Sequence, residues 1–143
     1  MKIRKMGIED YEGVLKIWNE GSIIGMRNLD DSYEGILKFL NRNPNTNFVA
    51  EIENKIVGVI LSGHDGRRGY IYHMGVKGKE RRNGIGKQLV EKALDALREE
   101  GINKVALVAF RSNDLGNQFW ESMDFIQRED LIYRNKSINE SNI

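Results

Sequence analysis

The chain has 143 residues, 40% of them hydrophobic and 30% charged, which suits one globular domain with its own core and not a chain disordered throughout. Lysine and arginine number 22 against 21 aspartates and glutamates, a formal net charge of +1, so no global field draws it to nucleic acid or to an anionic membrane. Cysteine is absent and histidine occurs only twice, which argues against a disulfide scaffold, a cysteine nucleophile and a Cys-ligated or His-rich metal site.

Met1 to Lys5 is polar and alternating, unlike a signal peptide. The longest apolar stretches run about five or six residues, far short of a membrane span. The expectation is a soluble, cytoplasmic protein with no membrane partner.

Lys2–Met6 alternates with the period of a strand and Gly7 ends it. Asp10 then caps a helix whose apolar face is Tyr11, Val14, Leu15 and Trp18, with Gly21 as its stop. Residues 22–31 read as a loop or broken helix. A second helix starts at Asp31 or Ser32, is buried through Tyr33, Ile36, Leu37 and Leu40, and frays at the sole proline, Pro44.

From there the period changes from helix to strand. Asn47–Ile52 and Ile56–Leu61 form a hairpin about the turn Glu53-Asn54-Lys55, and Tyr70–Val76 is a third antiparallel strand. A long helix follows from Gly84 to about Glu100, with Ile85, Leu89, Val90, Ala93, Leu94 and Leu97 on one face and Gly101 as its stop. Lys104–Phe110 is almost continuously apolar and reads as an internal strand. A short helix begins at Asn113 or Asp114, and Phe125 starts a last strand reaching Tyr133. Helices alternating with a mixed sheet make an α/β domain. The polar stretch 135–143 has little in its composition to order it and is expected to be a flexible C-terminal tail.

The segment from Gly78 to Lys87 joins a strand to the long helix and has the makings of an anion site. Glycines allow a tight turn, while successive amides and the helix N-terminus face one point. Lys79, Arg81, Arg82 and Lys87 add positive charge. A pyrophosphate is the natural guest, although a glycine-rich turn also serves as plain structure. It is not a P-loop, because Gly86-Lys87 is followed by Gln88, and it is not the dinucleotide fingerprint, because position 89 is leucine.

Arg81-Arg82-Asn83-Gly84-Ile85-Gly86 resembles the Arg/Gln-x-x-Gly-x-Gly/Ala signature of the GNAT-type N-acetyltransferase superfamily. Met74-Gly75-Val76 precedes it on a strand, and Asn113…Phe119-Trp120-Glu121-Ser122-Met123-Asp124-Phe125 is similar to a second family segment. The resemblance runs from residue 2 to about 133, so residues 1–134 are expected to form one acetyltransferase domain of the small single-domain bacterial type. It implies a mixed, mostly antiparallel sheet flanked by helices, in which two parallel strands, 70–76 and 104–110, splay apart at a bulge near Met74-Gly75.

By the same resemblance, acetyl-CoA is the cosubstrate and lies between the splayed strands. Met74 and Val76 would bind its pantetheine arm, the segment Arg81, Arg82, Asn83, Gly84, Ile85, Gly86 and Lys87 its pyrophosphate, and Asn113 the pantetheine or the adjoining helix end. The implied reaction is direct attack of a neutral primary amine on the thioester, with backbone N–H groups stabilising the oxyanion. The acceptor would be a small-molecule or peptide amine, such as a protein N-terminus. A homodimer is an expectation of the resemblance alone.

The family's usual general acid, a tyrosine, falls on Trp120, and its usual glycine falls on Asp124. The strand position that often holds a glutamate base falls on Tyr70. Tyr70, Tyr72 and His73 are the candidate catalytic residues. The two tyrosines face one side of their strand, and His73 faces the other unless a bulge intervenes; His73 would also serve as a packed core residue. Asp30, Asp31 and Glu34 could attract a cationic amine or simply stabilise a helix start. Two further readings are an acyl-CoA-binding or sensor module without turnover, motivated by Trp120, and acetylation of ribosomal-protein N-termini. No interleaved aromatics accompany the short basic patches, so no nucleic-acid partner is expected.

Overall fold

The computed structural model describes residues 1–20 and 25–143. Residues 21–24, with the helix stop expected at Gly21 and the first part of the stretch 22–31, lie outside the described residues.

Strands β1 (Lys2–Lys5), β2 (Phe48–Ile52), β3 (Lys55–His64), β4 (Gly69–Val76) and β5 (Val105–Ala106) form one sheet in the order β1-β2-β3-β4-β5. The first four are antiparallel neighbours, and β5 joins β4 in parallel. Helices α1 (Tyr11–Glu20) and α2 (Tyr33–Arg42) cover one face, while α3 (Ile85–Glu99) covers the other with α4 (Asp114–Ser122) beside it. This is the α/β, mixed and mostly antiparallel architecture expected from the sequence.

Strand alternation sorts the core into two layers. Val49, Val59 and Leu61 meet Val14, Ile17, Trp18, Ile36 and Leu40 of α1 and α2. Phe48, Ala50 and Ile60 meet Ile85, Leu89, Val90 and Ala93 of α3. Burying each large side chain stabilises the fold by about 1.5–3 kcal/mol before the cost of ordering it. Gly58 sets the distance of α3 from the sheet: a Cβ there would lie 3.0 Å from Leu89 Cδ1 and 3.1 Å from Ile85 Cγ2.

Just before the start of β2, the side chains of Thr46 and Asn47 continue the pairing of β3. Ser62 N–H donates to Asn47 Oδ1 at 2.7 Å, and Thr46 Oγ1 donates to Ser62 O at 2.7 Å. Asn47 Nδ2 donates in turn to Asn43 O at the end of α2. All of Thr46, Asn47 and Ser62 are fully buried, so these bonds satisfy polar groups that water cannot reach. The network pins α2 to the middle of β3.

Two expected strands are corrected. The run 104–110 pairs only at Val105 and Ala106, and beyond them Val108 and Phe110 are each 55% exposed. Phe125–Tyr133 is not a strand, and Ile126, Leu131 and Ile132 are exposed. Apolar alternation makes a strand only where a neighbour meets its backbone hydrogen bonds, and among the described residues no second strand lies outside β5. The chain instead returns across the molecule. Asn142 Oδ1 accepts from the amides of Leu29 and Asp30 at 3.1 Å, and Ile143 O accepts from Asn28 N–H at 2.8 Å. No helix among the described residues is long and apolar enough to cross a membrane.

Candidate active site

The parallel pair β4/β5 is joined only at Gly69–Val105 and Tyr70–Ala106. Beyond Tyr70, β4 runs on to Val76 with β3 on one side and an open edge on the other. The expected splaying is present, but the irregularity in β4 lies two residues earlier than expected. Met74 and Gly75 pair regularly with Ile60 and Val59, whereas the register shifts opposite Leu61 and Ser62, leaving Tyr72 as the extra residue.

That bulge decides where the candidate catalytic residues point. A bulge puts one more residue on its strand than on the partner and so breaks the alternation of faces. Tyr72 packs edge-on against Phe39 of α2 and against Tyr70, with ring centroids 5.3 and 4.6 Å apart. His73, expected on the opposite side, packs edge-on against Trp18 of α1 at 5.1 Å. All three side chains therefore gather on the α1/α2 face, beside the opened edge of β4.

His73 Nε2 lies 2.9 Å from Asp31 Oδ1, and both side chains are largely buried, at 13% and 7% exposed. Arg27 N–H donates to the other Asp31 oxygen at 2.7 Å, and the Tyr11 hydroxyl donates to the Asp31 carbonyl at 2.7 Å. Of the three acidic candidates, Asp31 is thus committed to the interior. Asp30 accepts from Asn142 Nδ2, and Glu34 is exposed. A cleft of about 280 Å³ backs onto Asp31, lined by Tyr11, Leu15, Asn19, Met26 and Arg27.

Burial pushes the Tyr70 phenol up from its ordinary value, helped by the nearby Tyr133 and Tyr72. Burial likewise raises Tyr72, followed by Asp65 and Tyr133. Both phenols therefore stay protonated at neutral pH and can donate a hydrogen bond or a proton, not take one. Tyr133 itself is 65% exposed and close enough to both phenols to help raise them.

At the other end of β4, residues 77–84 turn through a short 3₁₀ stretch, Gly78–Glu80, into α3. Arg82 and Gly84 both take left-handed backbone, at φ +70 and +77. The first bond of the helix runs from Gln88 N–H to Gly84 O, so the amides of Ile85, Gly86 and Lys87 are not used by the helix itself and point out of its start. Arg81 Nε donates to Val76 O at 3.3 Å, tying that arginine to the end of β4. Asn83 and Lys87 are exposed on the same turn. A Cβ on Gly86 would lie 3.4 Å from Phe119 of α4 and 3.7 Å from Met74 Cε, so the two helices meet over Met74.

Asn113 caps α4: its Oδ1 accepts from Gly116 N–H at 2.9 Å. Trp120 packs edge-on between Phe119 and Phe125, with centroids 5.0 and 5.2 Å away, and its indole N–H is no acid. The structure thus brings the expected residues together as two groups. Met74, Val76 and the turn 81–87 lie along the open edge and the start of α3, Asn113 heads the helix α4 that packs there through Phe119, and Tyr70, Tyr72 and His73 lie on the α1/α2 face. The residue that sequence reasoning underrated is Asp31, because its partner His73 is 42 positions away and only the bulge turns that histidine toward it.

Residues 11–125 match the model of the acetyltransferase (GNAT) family. Among curated proteins, the chain is 29% identical over 140 residues to "Acetyltransferase SG1711" of Sodalis glossinidius, covering 98% of this chain and 97% of that one. Among solved structures it is similar to Ard1 from Thermoplasma volcanium, with a TM-score of 0.78 and 23% identity over 87% of this chain and 82% of that one. It is also similar to an aminoglycoside acetyltransferase from an uncultured soil metagenomic sample in complex with sisomicin, with a TM-score of 0.72 and 24% identity over 96% of each chain. The parted strands, the amide-rich helix start and these matches agree: the chain belongs to the GNAT acetyltransferase family and is an enzyme of N-acetyl transfer.

Proposed function

We propose that the protein transfers an acetyl group from acetyl-CoA to a primary amine, of a small molecule or of a protein N-terminus, by direct attack. One observation carries this reading best. The edge of β4 opens next to a helix start with uncommitted amides, and Tyr70, Tyr72 and His73 gather on the α1/α2 face beside that edge, with Asp31 against the histidine. The pyrophosphate would sit on the amides of the turn 81–87, where Arg82 and Lys87 supply charge. Backbone groups of Met74 and Val76 would hold the pantetheine arm, and Asn113 would border it. No step needs a protein nucleophile.

The acceptor would approach from the α1/α2 face, between residues 25–32 and Tyr133. The structural relative in complex with sisomicin, an aminoglycoside acetyltransferase, supports a small-molecule amine as one such acceptor. Residues 1–134 would form the catalytic domain, with 135–143 lying against Asn28–Asp30 as a tail. The apolar side chains of Val108, Phe110, Ile126 and Ile132, open to solvent in the single chain, support a homodimer that covers them.

The test is release of free thiol from acetyl-CoA across amines, amino acids, polyamines and N-terminal peptides. With no cysteine in the chain, a thiol reagent meets no protein background. Release that depends on one amine class is the expected result. Binding of acetyl-CoA without release for any amine would overturn the reading.

A further inference from the structure

We propose that His73 takes the proton from the incoming ammonium and that Asp31 is the positioning residue that makes it able to do so; this rests on the amine-acetylation reading above. The case starts from proton inventory. Tyr70 and Tyr72 hold their protons at neutral pH, and Trp120 has no exchangeable acid. Imidazole is the side-chain type in the cluster whose second ring nitrogen can accept a proton while the first is held by hydrogen bonding.

Which ring nitrogen is free to accept is then set by Asp31. Its Oδ1 faces His73 Nε2 at 2.9 Å, and its Oδ2 already accepts from Arg27 N–H at 2.7 Å. A carboxylate can only accept, so Nε2 must carry a hydrogen, and in the neutral ring Nδ1 then carries the lone pair. Nδ1 meets no hydrogen-bond partner among the described residues, and it is the nitrogen nearer the main chain of β4, beside Met74. Trp18, edge-on to the ring, holds its plane. The imidazole and its orienting carboxylate are thus paired, with the second ring nitrogen left unbonded among the described residues.

The step balances without an added reagent. An R–NH3⁺ acceptor gives one proton to Nδ1, and the resulting imidazolium is stabilised by Asp31 through Nε2–H. The neutral amine attacks the thioester carbon, forming the C–N bond. The C–S bond then breaks, and the second amine proton leaves with the sulfur as free thiol. His73 returns its proton to solvent.

Asp31→Asn is the discriminating variant. The Arg27 amide keeps the oxygen of the asparagine, which turns its NH2 toward Nε2; a donor there drives the ring hydrogen to Nδ1 and removes the accepting lone pair. The tautomer is read by ¹⁵N NMR of labelled histidine, and His64→Gln assigns the two imidazoles. The expected result is an Nε2–H tautomer for His73 in the wild type and Nδ1–H in Asp31→Asn. Alongside it, kcat for an accepted amine falls at least about tenfold while KM for acetyl-CoA stays within about twofold. His73→Gln, whose kcat falls by roughly a hundredfold, keeps the test decisive should Asp31→Asn fold poorly. An unchanged tautomer and kcat in Asp31→Asn, or full activity in His73→Gln, overturns the proposal while acetylation stands. A wild type that releases no thiol with any amine overturns the acetylation reading and this proposal together.

Discussion

Trp120 and Phe125 are joined by a hydrogen bond from the Phe125 amide to the Trp120 carbonyl, 3.0 Å long, which closes the end of α4. Asp124 makes the closure possible by taking left-handed backbone, φ +64. This is the position where the family resemblance calls for glycine, and the backbone conformation explains both residues: glycine adopts it freely, and aspartate is among the few side chains that tolerate it.

Asp124→Gly should therefore stabilise the protein, by about 0.5–1 kcal/mol once the greater freedom of the unfolded glycine chain is allowed for. Thermal unfolding should show a rise of a few degrees for a domain of this size. A fall would mean that the Asp124 side chain contributes more than its backbone strain costs.

Lys87 stands in the first turn of α3, near amides the helix leaves unused. Removing its charge with Lys87→Ala should raise KM for acetyl-CoA roughly two- to fivefold, corresponding to about 0.3–1 kcal/mol for a charge at a helix start. The effect should shrink as salt is added, with kcat unchanged. Gly84→Val should be far worse, because a β-branched residue is strained at φ +77.

The phenols of Tyr11, Tyr70 and Tyr72 are all raised above their ordinary value of 10, in each case chiefly by burial. A folded-state value above the unfolded one means that the folded protein holds these protons more tightly. Their contribution to stability is complete below about pH 10 and is lost as pH rises through the folded values. Ultraviolet titration should show part of the tyrosine absorbance change only with alkaline unfolding, and Tyr70→Phe should make the loss of stability above pH 10 shallower.

Arg4 joins β1 to the start of α1, hydrogen-bonding both oxygens of Asp10 at 2.7 and 2.8 Å and Glu51 at 2.5 Å. Burial alone would favour the neutral Asp10 acid, but the bonds from Arg4 and from the Gly7 amide outweigh it and hold the carboxyl below its ordinary 3.8. A lowered folded value contributes stability above that ordinary value, and the contribution is lost as pH falls through the folded one. Denaturant melts should thus weaken below about pH 4 in the wild type. Arg4→Met should cost about 2 kcal/mol at pH 7, because it leaves a buried carboxylate with one partner fewer, and should flatten the acid dependence.

Most elements were legible one at a time. The 3.6-residue spacing of Ile85, Leu89, Val90, Ala93 and Leu97 marks α3, and all five are buried where that spacing puts them. Ser32, read as a helix start, caps α2 by accepting from Gly35 N–H at 3.0 Å. Asp10 is a different case: its sequence position suggests the cap of α1, but it lies in a 3₁₀ turn before that helix and accepts from Gly7 N–H and from Arg4, a partner that only the fold supplies. The strand read at 104–110 failed for a related reason, since an apolar run carries no record of which neighbour will pair with it.

By itself, the sequence determined the local periods, the glycine-rich turn before α3 and the absence of any thiol chemistry, because each of these depends on residues within a few positions of one another. Tertiary structure alone decided that β4 bulges at Tyr72, that His73 therefore turns to the same face as Tyr70 and Tyr72, and that Asp31 meets it there. A one-residue shift in pairing moves a side chain from one face of a sheet to the other, and that shift is a property of two strands together, which no single stretch of the chain encodes.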